Sequence, residues 1–142
     1  MMKLSKVQRE ELRGMFGGKC AYCGCELPEK GWHADHVEPI YRGRDFDRQV
    51  TDDGRLEFTS RVAARDSLDV VENMTPACKQ CNLFKGGHSL EGFREQVAQQ
   101  VARARLYSVN FRTAERFGQL QITASPIVFW FEQCAQEEGN HD

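Results

Sequence analysis

Two pairs of cysteines with the same internal spacing are the residues of this chain best suited to binding a metal ion. Cys20 and Cys23 form one C-x-x-C pair, Cys78 and Cys81 form the other, and 54 residues separate them. Two thiolates at this spacing can bind one zinc ion from a tight turn, and a second pair completes a tetrahedral site. Four sulfur ligands leave no position for water, so such a zinc is structural and its binding energy contributes to folding.

Two alternative roles for the cysteines fit the pattern less well. Buried thiols scattered through a core do not require two matched pairs, and a dithiol redox motif requires only one. Cys25 and Cys134 are left over, and we assign both as free thiols, although Cys25 is close enough in sequence to Cys23 to compete for the metal. The sequence therefore predicts a structural zinc ion bound by the two C-x-x-C pairs.

The densest group of ionisable side chains lies between these pairs, in the segment 33–36, which reads His-Ala-Asp-His. In a strand, His33 and Asp35 would share one face and His36 would point away from it, whereas a turn would let Asp35 and His36 converge. Taken alone, such a motif is more typical of a polar surface strand with ordinary histidines than of a functional site. The motif lies between the cysteine pairs, and the second pair is followed directly by Asn82 and then by Lys85. This context favours a functional site.

Three segments together resemble the HNH endonuclease family, in its four-cysteine form. They are Cys20-Ala-Tyr-Cys23, His33-Ala-Asp-His-Val-Glu-Pro-Ile40 and Glu72-Asn73-Met-Thr-Pro-Ala-Cys78-Lys-Gln-Cys81-Asn82-Leu-Phe-Lys85-Gly86. The resemblance covers residues 20–86. It implies an α+β fold: a small single domain over 1–142, with a treble-clef-like ββα-metal nuclease core at 20–86 and a zinc site beneath it. Flanking helices and a C-terminal helix and strand extension of unknown role at 87–142 complete the expected fold.

The resemblance also implies an activity, metal-dependent hydrolysis of DNA phosphodiester bonds. His36 matches the general base that takes a proton from the attacking water, a transfer to which imidazole is suited near neutral pH. Asp35 and Asn82 match the ligands of a catalytic Mg²⁺ or Mn²⁺ ion, with Zn²⁺ or Ni²⁺ as alternatives, because hard oxygen ligands suit such ions. Asn73 matches the central asparagine of the family motif, which braces the loop between the strands.

Two further residues receive weaker assignments. His33 is expected to be an additional metal ligand or a group that supports the ligands, and Lys85 to contact a phosphate. Each asparagine could also have a simpler structural role, because Asn73 could be a plain turn residue and Asn82 a helix cap. The alternative function is a zinc-stabilised DNA- or protein-binding module without catalysis. The joint presence of a base and two metal ligands favours the enzyme.

Hydrophobic spacing predicts the elements that position these residues. We expect a helix at 4–16 capped by Ser5 with Gln8 as its return partner, a short strand at 31–41, and a second strand at 69–75. A longer helix should run from Ser89 to about Tyr107. The sequence further predicts a turn at 53–54, a short helix at 59–65, a helix opening at 82–85, a strand at 127–131 and a frayed tail from residue 136.

Composition limits the remaining expectations. The net charge of −2 gives nucleic-acid binding no independent support, because phosphate contacts usually leave a basic surface. Arginines at 42, 44, 48, 55, 61 and 65 could still reach DNA, although interspersed aspartates make a solvated loop of mixed charge equally consistent. No signal sequence or membrane-spanning run is visible, so we expect a cytoplasmic protein that acts on double-stranded DNA, not on a membrane, with a homodimer as an open possibility.

Overall fold

The computed structural model describes residues 2–40, 46–60 and 68–139, and within them the chain is a small α+β fold. Its elements in chain order are α1 (Lys6–Gly14), β1 (His33–His36), β2 (Phe46–Val50), β3 (Leu56–Ser60), a 3-10 turn (Val71–Asn73), β4 (Met74–Ala77), α2 (Lys79–Lys85), α3 (Leu90–Ala98), α4 (Gln100–Tyr107), α5 (Val109–Arg116) and α6 (Trp130–Gly139). None of the helices in these ranges combines the length and apolarity needed to cross a lipid bilayer.

The first helix has the predicted cap at Ser5 and runs over Lys6–Gly14, inside the predicted range of 4–16. The Ser5 hydroxyl accepts a hydrogen bond from the Gln8 backbone at 3.1 Å, and the Gln8 side chain accepts one from the Ser5 backbone at 2.9 Å. This reciprocal capping satisfies two backbone donors that a helix start otherwise leaves unpaired. Leu12 is buried on the inner face of α1, so the cap sets where the helix begins and Leu12 fixes which side faces the core.

Strands β1 and β4 form an antiparallel pair that carries the motif residues. His33 lies opposite Ala77 and His36 lies opposite Met74, and the Val37 backbone donates to the Asn73 carbonyl at 2.8 Å just beyond the pair. Helix α2 starts two residues after β4 and packs against β1. The second predicted strand therefore exists, but it runs over 74–77, after a 3-10 turn, rather than over 69–75.

Strands β2 and β3 form a separate antiparallel hairpin between β1 and β4 in the chain. Phe46 lies opposite Ser60, and the expected turn at Asp53 and Gly54 joins the strands, with Gly54 at a φ of 82° that favours glycine. The predicted helix at 59–65 is wrong at residues 59 and 60, which are in β3. Residues 61–65 lie outside the described part of the chain.

The C-terminal third differs most from the sequence prediction. The helix that begins after Ser89 is divided at Gln99 into α3, which buries Phe93, and α4, which buries none of its side chains. Helix α5 was not predicted. The expected strand at 127–131 is absent: residues 127–129 have no regular structure and α6 begins at Trp130. The tail does not fray from residue 136, because α6 continues to Gly139.

Aromatic packing and two backbone hydrogen bonds place the segment before α6 and the start of that helix. The Phe131 and Trp130 backbone N–H groups donate to the carbonyls of Ala21 and Tyr22, at 2.8 and 3.1 Å. The ring of Phe129 stacks on Phe93 with centroids 5.3 Å apart and meets the Tyr22 ring edge-on at 5.4 Å. The apolar residues that suggested a strand therefore pack against the first cysteine turn, with single hydrogen bonds in place of a ladder.

We expect Phe93→Ala to destabilise the protein by about 3–5 kcal/mol, because Phe93 is only 2% exposed and joins α3 to this aromatic cluster. Phe117→Ala is the matched control, since that ring is 73% exposed and its loss should change the free energy of unfolding by less than about 0.5 kcal/mol. Urea unfolding monitored by circular dichroism measures both. Equal effects of the two substitutions would show that the core is assigned wrongly.

Candidate functional site

The four cysteines of the two C-x-x-C pairs come together as a four-cysteine cluster. The sulfur atoms of Cys20, Cys23, Cys78 and Cys81 all lie within 4.8 Å of one another, and those of Cys23 and Cys78 are 3.8 Å apart. Zinc–sulfur bonds of about 2.3 Å in a tetrahedron place sulfur atoms about 3.8 Å apart. The cluster can therefore hold a metal ion such as zinc, as the sequence predicts.

Local hydrogen bonds position each of the two cysteine pairs. In the first turn, the Cys20 backbone N–H donates to the Cys25 carbonyl at 2.8 Å and the Gly24 N–H to the Cys20 carbonyl at 3.0 Å. Gly24 has a φ of 78°, which favours glycine, and a Cβ at this position would also lie in tight contact with the Trp130 ring, at 3.3 Å. In the second half, Cys78 caps α2, with its sulfur 3.4 Å from the Cys81 backbone N–H.

The thiols of the cluster differ in acidity. A hydrogen bond from Cys81 is the main cause that lowers the pKa of Cys20 to about 4, against the opposing effect of burial, and the same contact raises the pKa of Cys81. The cluster thus already favours a thiolate, which is the form that binds metal. Cys25 lies outside the cluster, and burial, followed by the neighbouring Cys23 and Cys78, raises its pKa to about 12.

Asp35 lies in a buried polar network next to the cluster. One carboxylate oxygen, Oδ2, accepts a hydrogen bond from the Tyr22 hydroxyl at 2.6 Å. The same oxygen forms an ion pair with the Lys85 ammonium at 3.1 Å. The same ammonium donates to the His36 carbonyl at 2.8 Å. Burial, and then the charge of Asp35, raises the pKa of Tyr22, so this hydroxyl remains a donor. Since Tyr22 lies between Cys20 and Cys23, the network joins the cluster directly to β1.

The structure corrects the role expected for Lys85. Its side chain is fully buried and its ammonium already has two partners in β1, so it does not reach a phosphate at the surface. Lys85 instead attaches α2 to β1 and fixes the Asp35 carboxylate. The sequence could not separate these roles, because a lysine one helical turn after a metal-binding motif is compatible with both.

His36 is buried, and its ring pairs with a residue that no sequence motif indicates. The Nε2 atom lies 2.9 Å from Oδ1 of Asp69, and the two side chains are 8% and 12% exposed. Burial opposes ionisation of Asp69, but the hydrogen bonds from His36 and from the Met2 backbone outweigh it and lower the pKa of this carboxyl. Asp69 lies in a segment dense in charges, 33 residues from its partner, so no local pattern distinguishes it.

Asn73 connects the two backbone segments that carry this pair. Its Oδ1 accepts from the Glu38 backbone N–H at 3.0 Å, and its Nδ2 donates to the carbonyls of Glu38 and Leu68 at 3.0 and 2.8 Å. Glu38 is two residues after His36, and Leu68 directly precedes Asp69. All three polar contacts of this side chain therefore hold the His36 and Asp69 segments together.

The remaining predicted residues are less constrained. Asn82 is half-buried on α2, one turn before Lys85, and its side chain forms no hydrogen bond with the described part of the chain. The Oδ1 atom of Asp35 is likewise without a hydrogen bond to any described residue. His33 is exposed at the other end of β1 and has no polar partner in the described ranges, so the structure does not bring it into the group around His36.

Of the arginines proposed to reach DNA, only Arg55 has its side chain in the described part of the chain. Its guanidinium lies 3.4 Å from the carboxylate of Asp53 in the exposed turn between β2 and β3. The arginines at 42, 44, 61 and 65, and the side chain of the one at 48, lie outside what the structure describes.

Comparison with known proteins neither adds to nor opposes these assignments. No protein-family model matches the chain, and neither the curated proteins nor the solved structures include one that matches. The residues and their geometry are therefore the basis for assigning a function.

We expect the purified protein to contain about one tightly bound zinc ion per chain, and Cys20→Ser to lose both the zinc and the folded state. Cys134→Ser is the matched control, because this thiol is outside the cluster and its loss should leave the zinc content unchanged. Metal analysis of the two variants, with circular dichroism, measures the outcome. A folded, zinc-free wild-type protein would contradict the zinc assignment.

We expect Lys85→Met to destabilise the protein by about 3–5 kcal/mol, because it leaves the buried Asp35 carboxylate without its counter-ion. Lys79→Met, at an exposed position of the same helix, should cost less than about 0.5 kcal/mol. Unfolding midpoints in urea compare the two. A tolerated Lys85→Met would mean that the ion pair does not hold α2 against β1.

Proposed function

We propose that this chain is a metal-dependent HNH-type endonuclease that hydrolyses phosphodiester bonds of double-stranded DNA. The observation that carries the proposal is the placement of His36, whose buried ring lies 2.9 Å from Asp69. His36 is the last residue of β1 and follows the buried Asp35, so the chain leaves the strand directly after these two residues, and the proposal requires both side chains to reach one site from there. A histidine held by a carboxylate is suited to accept a proton, and a neighbouring carboxylate oxygen is a ligand suited to a divalent cation.

The elements around these residues support a ββα-metal core. Strands β1 and β4 pair antiparallel, and α2 follows β4 and packs on β1. In this proposal the four-cysteine cluster holds a structural zinc ion that fixes the start of α2. The same helix supplies Cys81 to the zinc and Asn82 to the site, so one short helix serves two metal ions.

The donor atoms available to a catalytic ion agree with a hard cation. The Asp35 Oδ1 and the Asn82 amide oxygen are both oxygen ligands without a hydrogen bond to the described residues, on two elements in contact. Such donors suit Mg²⁺ or Mn²⁺. When bound, the ion would supply positive charge that stabilises the phosphate and the leaving 3′-oxygen.

The chain's own residues would orient the reaction around that position. His36 would take the proton of the attacking water, while Asn73 keeps the loop that follows His36 in place through Glu38. Tyr22 and Lys85 would fix the Asp35 carboxylate through Oδ2 and leave Oδ1 available to hold the ion. Positioning of this kind contributes to catalysis because the reacting groups need not reorganise during the reaction.

One observation favours a second candidate, a zinc-stabilised binding module without catalysis. The Lys85 ammonium lies 3.1 Å from Oδ2 of Asp35 and already neutralises its charge, which weakens its attraction for a second cation. In that case the polar network would serve only to join α2 to β1. The two candidates differ in whether a divalent ion promotes DNA cleavage.

We expect the purified protein to nick or cut plasmid DNA in Mg²⁺ or Mn²⁺, EDTA to stop the reaction, and His36→Ala to reduce the rate on the order of 100-fold or more. His88→Ala is the matched control, because His88 is exposed and should leave the rate unchanged. Gel analysis of supercoiled, nicked and linear plasmid measures the rates.

Intact plasmid in Mg²⁺, Mn²⁺, Zn²⁺ and Ni²⁺ would contradict the nuclease. If the same preparation still shifted labelled DNA in a gel, the binding module would be favoured. Equal cleavage by wild-type protein and His36→Ala would point instead to a contaminating nuclease.

A further inference from the structure

The pair formed by His36 and Asp69 has a consequence for which nitrogen of the imidazole can react. An ionised carboxylate only accepts hydrogen bonds, so the 2.9 Å contact between Nε2 of His36 and Oδ1 of Asp69 places the ring proton on Nε2. In a neutral imidazole the other nitrogen, Nδ1, then carries the lone pair. The carboxylate thus determines the tautomer as well as the orientation of the ring.

The surroundings hold Asp69 in the orientation that this contact needs. Its second oxygen, Oδ2, accepts a hydrogen bond from the Met2 backbone N–H. The carbonyl of the preceding residue, Leu68, is bound by Asn73, which also binds the backbone two residues after His36. One side chain, Asn73, therefore bonds the backbone next to Asp69 and the backbone two residues after His36, and so helps to hold the two segments that carry the pair.

We infer that Asp69 is the positioning residue for His36, holding the ring as the Nε2–H tautomer so that Nδ1 is the atom that receives the proton of the attacking water. This inference rests on the proposed function. As the water oxygen bonds to phosphorus, its proton moves to Nδ1, the bond from phosphorus to the 3′-oxygen breaks, and solvent protonates the departing oxygen. The imidazolium formed in this step lies against the Asp69 carboxylate, which stabilises its charge.

The tautomer can be measured without any cleavage. Two-bond nitrogen–proton NMR correlations on the ¹⁵N-labelled protein as purified, without added Mg²⁺, distinguish a ring protonated at Nε2 from a ring protonated at Nδ1. We expect the wild-type His36 ring to be the Nε2–H tautomer. In the Asp69→Asn variant we expect the His36 ring to be a mixture of both tautomers, because an amide can donate a hydrogen bond as well as accept one.

The same variant tests the catalytic consequence. Asp69→Asn should lower kcat on the order of 100-fold and leave KM for DNA within about twofold, because it disturbs the base and not the binding surface. Asp52→Asn is the matched control, since it removes an equal charge from an exposed turn and should change neither value. Zinc content and the amide spectrum establish that each variant is folded.

The possible outcomes separate this inference from the proposed function. An Nδ1–H tautomer in an active nuclease overturns the role of Asp69 alone, as does full activity of a folded Asp69→Asn variant. An Nε2–H tautomer in a protein that cuts no DNA overturns the proposed function and the catalytic part of this inference with it. The expected tautomer together with a loss of kcat at constant KM supports both.

Discussion

The constraint on which the rest of this structure depends is the convergence of four cysteines from two distant turns. It brings residues 20–23 against the start of α2 and so determines where β4 ends and how α2 meets β1. The backbone follows the same connection, because the Ala21 N–H donates to the Pro76 carbonyl at 2.8 Å. In a chain of this size, with a core cluster of ten buried residues among those described, one such closure decides the arrangement of several elements.

A buried polar network extends this constraint to the candidate site. Tyr22 belongs to the first cysteine turn and Lys85 to the helix that the second cysteine pair begins, and both bind the same oxygen of Asp35. A buried carboxylate needs such partners, since charge removed from water is costly unless it is paired. The cysteine cluster and β1 are therefore connected through two side chains, Tyr22 and Lys85, in addition to the backbone.

The sequence predicted the features that depend on local pattern or repeated spacing. The cap at Ser5, the four-cysteine cluster, strand β1 and the turn at Gly54 follow from such rules. Tertiary contacts decided the rest. Phe129 packs against Tyr22 of the first cysteine turn instead of joining a strand. Lys85 turns inward to a carboxylate 50 residues earlier, and Asp69 pairs with His36 across a segment that no periodicity connects. The assignment of a catalytic ion to Asp35 and Asn82 stays a prediction.

The hairpin of β2 and β3 bears on how freely chain length can vary in this architecture. It lies in the 54-residue loop that the cysteine cluster closes, and closing a loop of that length costs about 3.5 kcal/mol in chain entropy beyond a constant. The cost grows only with the logarithm of length, so ten additional residues would add about 0.2 kcal/mol. The backbone hydrogen bonds of the hairpin join only its own two strands. Loop-closure entropy therefore places almost no limit on residues inserted between β1 and β4.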